Sequence, residues 1–209
     1  VPVFLDLLYS LAQDRGFPIG MRPDDAGAVR SLPALSPLPT VTSHARGALF
    51  LGELPQDPLV AETVFRDQDE ARTDKARFTQ NAAIDGRARK LFLKGDLADG
   101  GQALLNALAA DDIAVVAAVF NAVDDQIGSS NTGAAVRLQP EEILAFKPSL
   151  KAALDAGRRI LLTADHGHAP FVSKDLRVGV GSTPRFTTLD TGDIIPEGFI
   201  EIDLKGLGG

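Results

Sequence analysis

Apolar residues recur along the first part of the chain at helical spacing, with Phe4, Leu7, Leu8 and Leu11 on one face and Pro2 where a first helical turn tolerates it. The chain is therefore expected to open on a helix. Segment 16–40 is punctuated by Pro18, Pro23, Pro33, Pro37 and Pro39, which predicts loop with one short strand near 28–32. From Ser43 to Leu51 the pattern turns helical, and Gly52 supplies a C-terminal stop. Residues 56–90 hold charge-dense stretches such as Arg66-Asp67-Gln68-Asp69-Glu70 and Arg87-Ala88-Arg89-Lys90, which predict a solvated surface insertion with helical pieces. Lys90 to Gly95 reads as a short strand and turn, and Leu97 to Ala110 as an amphipathic helix. Ile113 to Val123 reads as a continuous apolar strand of the kind parallel sheets bury. Glu141 to Ala156, between Pro140 and Gly157, predicts a further helix, and Ile160 to Ala164 a second apolar strand. The alternation in Phe199 to Leu204 suggests hairpin and edge structure after Val172. Strand, helix and strand in this order predict an α/β fold, a doubly wound and mostly parallel sheet with helices on both faces.

Composition narrows the class. With 44% hydrophobic and 23% charged residues over 209 positions, the chain fits one ordinary globular domain. It has no cysteine, which excludes disulfides and thiolate metal ligands and agrees with a cytoplasmic location. No apolar run approaches the roughly 18 residues of a membrane span, and no basic-then-apolar leader is present, so no membrane association is expected. The formal net charge of -7 means that a phosphate-bearing partner needs a local positive centre. A bound metal ion supplies one.

The two apolar strands both run into acidic residues, at Asp124-Asp125 and at Asp165-His166-Gly167-His168. Ligands of open α/β sheets bind at the carboxyl ends of strands, so these residues are candidates for chemistry. Two of the three histidines of the chain stand at the second of these ends. A carboxylate with two imidazoles suits a borderline divalent ion: zinc first, manganese or magnesium as alternatives. The plainer reading makes Asp165 a turn cap and the histidines surface residues. Thr42 stands at the expected N-terminus of the helix 43–51, where backbone N–H groups and the helix dipole favour an anion. A hydroxyl there beside a metal is a candidate nucleophile toward phosphorus, and the competing role is a simple N-cap. Ser43 competes with Thr42 for both roles. Arg46 is a fork-shaped donor able to bind phosphate, or else an exposed helical arginine. Arg185 is a further candidate of the same type.

Pro39-Thr40-Val41-Thr42-Ser43-His44-Ala45-Arg46, with Asn121-Ala122-Val123-Asp124-Asp125 and Leu161-Leu162-Thr163-Ala164-Asp165-His166-Gly167-His168, resembles the alkaline phosphatase superfamily. Within it the chain is most similar to the PglZ domain of phage-defence systems of the Pgl/BREX type. The resemblance implies that residues 1–209 are a single alkaline-phosphatase-like domain with the charged insertion at about 56–90. It also implies a hydroxyl nucleophile at Thr42 that touches a metal, ligation of that same metal by Asp165 and His166, and a carboxylate for the other metal at Asp124 or Asp125. Superfamily members commonly carry a histidine where this chain has Ser129, which leaves one ligand missing or supplied by His168. Their opening metal aspartate ends a first strand. Asp6 falls instead on the polar side of the expected helix, so that ligand and its strand are expected upstream of Val1.

These readings converge on a divalent-metal-dependent phosphatase or phosphodiesterase acting on a phosphate ester, a nucleic acid being one option, in company with other phage-defence proteins. A catalytically degenerate structural or regulatory module of the same defence complex is the alternative. A phosphomutase ranks last, because no second catalytic domain is legible to hold a sugar phosphate.

Overall fold

Arg89–Phe92 (β1) and Val115–Ala118 (β2) pair in parallel in the computed structural model, which describes residues 7, 11, 36–37, 42–53, 70–129 and 138–167. The register aligns Arg89 with Val115, Lys90 with Val116, Leu91 with Ala117 and Phe92 with Ala118. The remaining elements are the helices α1 (Thr42–Leu51), α2 (Glu70–Gln80), α3 (Gln102–Ala109), α4 (Ala122–Ser129) and α5 (Phe146–Asp155). Short 3₁₀ turns stand at Ala82–Ile84, Lys94–Leu97 and Pro140–Glu142. The chain divides into two compact units, one formed by residues 1–35 and 78–164 and the other by 36–77 and 165–209.

In the first unit, β1, α3 and β2 form the strand, helix, strand crossover that the apolar pattern predicts. Asp99 starts α3: its carboxylate accepts from Gly101 N at 2.8 Å and from Ala103 N at 3.0 Å, satisfying amides that a helix start leaves without partners. Arg158 finishes the same helix. Its guanidinium donates to the carbonyls of Leu108 (2.6 Å), Ala110 (2.6 Å), Ile113 (2.8 Å) and Ala107 (3.3 Å), at the negative end of the helix dipole. Arg89 treats the end of α2 in the same way, donating to the carbonyls of Phe78, Thr79 and Asn81.

Two apolar clusters hold this unit together. Leu97, Leu104, Leu108 and Ile113 pack with Phe92 and with Ala153 of α5. Leu7 and Leu11, both helical, pack with Leu138, Ile143, Phe146 and Leu150. Phe120 touches both clusters and meets Phe146 edge to face at 5.2 Å between ring centroids.

Four expectations change here, the first being that the helix expected from Leu97 starts at Gln102, after the left-handed Gly100 and Gly101 (φ +77° and +79°). The run Ile113 to Val123 is a strand only over Val115–Ala118, because Ala122 and Val123 already belong to α4 and partly bury their side chains from a helix. An apolar run does not by itself separate strand from buried helix. The helix expected over 141–156 starts at Phe146, because Ala145 has a left-handed backbone (φ +61°) that a helix does not carry. Residues 160–164 carry no strand: among the described residues none pairs with them, and Leu161 is 85% exposed. A strand exists only through its neighbour's ladder. The described residues thus hold helices and a two-stranded parallel sheet, within which the expected crossover is formed.

Gly101 combines two constraints. Its φ of +79° is left-handed, and a Cβ built there would overlap the Cβ of Ala145. Gly101→Ala is therefore expected to lower stability by about 2 kcal/mol, adding left-handed strain to overpacking. Chemical denaturation reads this against Gly95→Ala, where an added Cβ meets nothing within 4 Å. Equal midpoints for the two variants would show that neither constraint acts.

Candidate active site

Thr42 is the first residue of α1, and Gly52, at φ +77°, follows the helix's last residue. The element expected over 43–51 thus forms one residue longer, with the threonine in its first turn. Small residues line the inner side of α1: Ala45, Gly47 and Ala48 are buried, together with Phe50.

The hydroxyl of Thr42 lies 2.7 Å from His166 Nε2. The other ring nitrogen, Nδ1, is 3.2 Å from the carbonyl oxygen of Gly167, and a carbonyl can only accept. In the neutral ring the proton therefore sits on Nδ1. Nε2 then presents its lone pair to Thr42, and the threonine O–H donates to it. The His166 side chain is buried at 2% exposure, and that of Asp165 is half-buried. Asp165 is tied at two points, its Oδ1 accepting from His166 N at 2.9 Å and its backbone carbonyl from Ser36 Oγ at 2.6 Å. Its Oδ2 stands 3.8 Å from His166 Nε2.

A hydroxyl, an imidazole nitrogen and a carboxylate oxygen thus meet in the second unit. Two donors bound tetrahedrally to one zinc ion lie about 3.3 Å apart. The separations of 2.7 and 3.8 Å bracket that spacing. A carbonyl on Nδ1 is also the usual outer partner of a metal-binding histidine, because it leaves Nε2 to face the ion. In donor chemistry these residues fit a divalent metal. In number they are part of a shell, since among the described residues no group of three or more His, Asp and Glu side chains stands ready to hold an ion. His168 lies outside the described residues, as do Asp6 and Arg185, and so do the side chains of Ser43, His44 and Ser129.

Asp124 and Asp125 belong to the first unit. They occupy the first turn of α4, where the helix dipole favours carboxylates, and both are exposed. Asp125 Oδ1 accepts from Lys94 Nζ at 2.7 Å. Arg46, one turn beyond Thr42, is neither exposed nor turned only toward a ligand: its Nε donates to Asp74 Oδ2 at 2.7 Å. The other carboxylate oxygen of Asp74 lies 3.5 Å from Arg77 Nη1; Asp74 and Arg77 are buried and Arg46 is mostly so. Sequence reasoning passed over Asp74 and Arg77, which sit in a segment dense in charge. The available signal was their spacing, since Asp74, Arg77 and Phe78 fall on one helical face that ends in an apolar residue.

No helix among the described residues is long and apolar enough to cross a membrane. Residues 20–178 match the family model described as the BREX system PglZ alkaline phosphatase-like domain, a span that includes Thr42, Asp74, Asp124, Asp125, Asp165, His166 and His168. No curated protein and no solved structure matches the chain.

Proposed function

From the premise that the chain belongs to the PglZ family, the alkaline phosphatase-like domain of BREX phage-defence systems, we propose that it is a divalent-metal-dependent phosphohydrolase with Thr42 as nucleophile. The observation that supports this is the 2.7 Å approach of the Thr42 hydroxyl to a buried imidazole at the N-terminus of α1. Thr42 Oγ, its proton lost to solvent, would attack phosphorus, forming the Oγ–P bond as the bond to the ester oxygen breaks and the alcohol leaves with a proton from water; a water would then hydrolyse the Oγ–P bond, releasing the phosphate and restoring the hydroxyl. The backbone N–H groups of the first turn of α1, which have no intrahelical partners, face the anion that gathers there. Asp165 and His166 would hold one ion, zinc before manganese or magnesium; by the family resemblance His168 would supply the ligand missing at Ser129, and one of Asp124 and Asp125 a carboxylate for the other metal. Ser43 and Arg46 are proposed to bind the phosphate. When bound, a divalent ion stabilises the deprotonated hydroxyl and the charge developing on the phosphoryl oxygens.

The doubly wound sheet, the cytoplasmic location and association with further phage-defence proteins belong to the same proposal. The test is turnover of an aryl phosphate and of a phosphodiester by the full-length protein with zinc or manganese, before and after chelation. Activity that is lost on chelation and restored by metal is expected. Activity indifferent to chelation would remove the metal. A folded protein that neither binds metal nor hydrolyses either ester would favour the structural module instead.

A further inference from the structure

On the face that α1 turns inward, the large buried side chain, Phe50, stands two turns from Thr42. Nearer to Thr42 the buried residues are Ala45, Gly47 and Ala48, which have little or no side chain to interlock with a neighbour. Apolar packing at that end sets the roll of the helix about its axis only weakly. A roll of about 20° carries an oxygen roughly 4 Å from the axis through more than 1 Å, enough to break a hydrogen bond of 2.7 Å. Something directional has to fix that roll.

Arg46 follows Thr42 by four residues and so lies one turn along the same face. Its Nε is held at 2.7 Å by Asp74 of α2, the two side chains being 11% and 3% exposed. A buried ion pair adds little stability beyond apolar packing of equal volume, but it accepts few geometries. Arg77, three residues further along α2, sets Asp74 from the other side. We infer that Asp74 is a positioning residue for Thr42: by gripping Arg46 it sets the roll of α1 and keeps the hydroxyl on His166 Nε2. The charged segment before β1 thereby acts on the reaction without touching substrate. This inference rests on the reading of Thr42 as nucleophile.

With only three histidines in the chain, imidazole ¹⁵N spectra of the whole protein test it. Thr42→Val is expected to shift the His166 Nε2 resonance by removing the donor. Asp74→Asn, shown to be folded by circular dichroism and thermal melting, is expected to move the same resonance in the same direction, and Asp74→Glu to return it part of the way. In the turnover assay Asp74→Asn should lower kcat by about tenfold to a hundredfold with KM changed less than about twofold, as a misplaced reacting group does. If Asp74→Asn does not fold, Arg46→Gln breaks the same pair from the side of α1 and is read by the His166 ¹⁵N signal alone, because Arg46 is also proposed to bind the phosphate. A folded variant with the His166 signal at its original position, while Thr42→Val moves it, overturns the inference alone. No shift in Thr42→Val overturns the inference together with the reading beneath it.

Discussion

Thr42→Ala is expected to lower metal-supported hydrolysis of an aryl phosphate by about a thousandfold or more, while the protein stays folded. The alanine removes the oxygen proposed to attack phosphorus and the donor to His166 Nε2. Stability should fall by only about 1 kcal/mol, the worth of one lost hydrogen bond. Thr42→Ser keeps the oxygen and is expected to retain most activity. A phosphorylated Thr42 trapped by rapid quenching, and absent from the alanine variant, would identify the intermediate. Full turnover by Thr42→Ala would end the assignment, and with it the view that the contact with His166 serves chemistry.

The second large effect is expected in the first unit, at Arg158. Arg158→Ala should reduce stability by about 4 kcal/mol, because one guanidinium satisfies four carbonyls at and beyond the end of α3, and truncation leaves partly buried acceptors without a donor. Arg158→Lys should recover only a small part, since an ammonium cannot reproduce a planar fork spread over four oxygens. Urea denaturation of both variants measures this. A loss below about 1 kcal/mol in Arg158→Ala would mean that water replaces the guanidinium at no cost.

How much of this was legible beforehand depends on what each signal encodes. The glycine stop at Gly52 and the helix before it were readable, because φ of +77° is a property of the residue type that fills it. So was β1, whose short apolar run ends at a turn. Hydropathy overran β2, since burying Ala122 and Val123 looks the same from a helix as from a strand. The gap between the Pro140–Glu142 turn and α5 was hidden because alanine gives no hint of a left-handed backbone, and Ala145 adopts one. For the site, the local pair Asp165-His166 and the helix start at Thr42 were visible, and the structure brings them together. Asp74 was not: a carboxylate in a charged run reads as solvated, and only a partner 28 positions away in sequence makes it a core residue. The same limit applied to Arg46, whose engagement with that carboxylate is a tertiary fact.

One support of the imidazole has a different kind of permanence. What fixes the proton of His166 is the main-chain oxygen of Gly167, and a side chain added at 167 would meet open space. Any L-residue at 167 keeps that oxygen. A systematic mutational survey would therefore register the threonine and the histidine and pass silently over the atom that aims the ring, so tolerance at 167 is no measure of its importance.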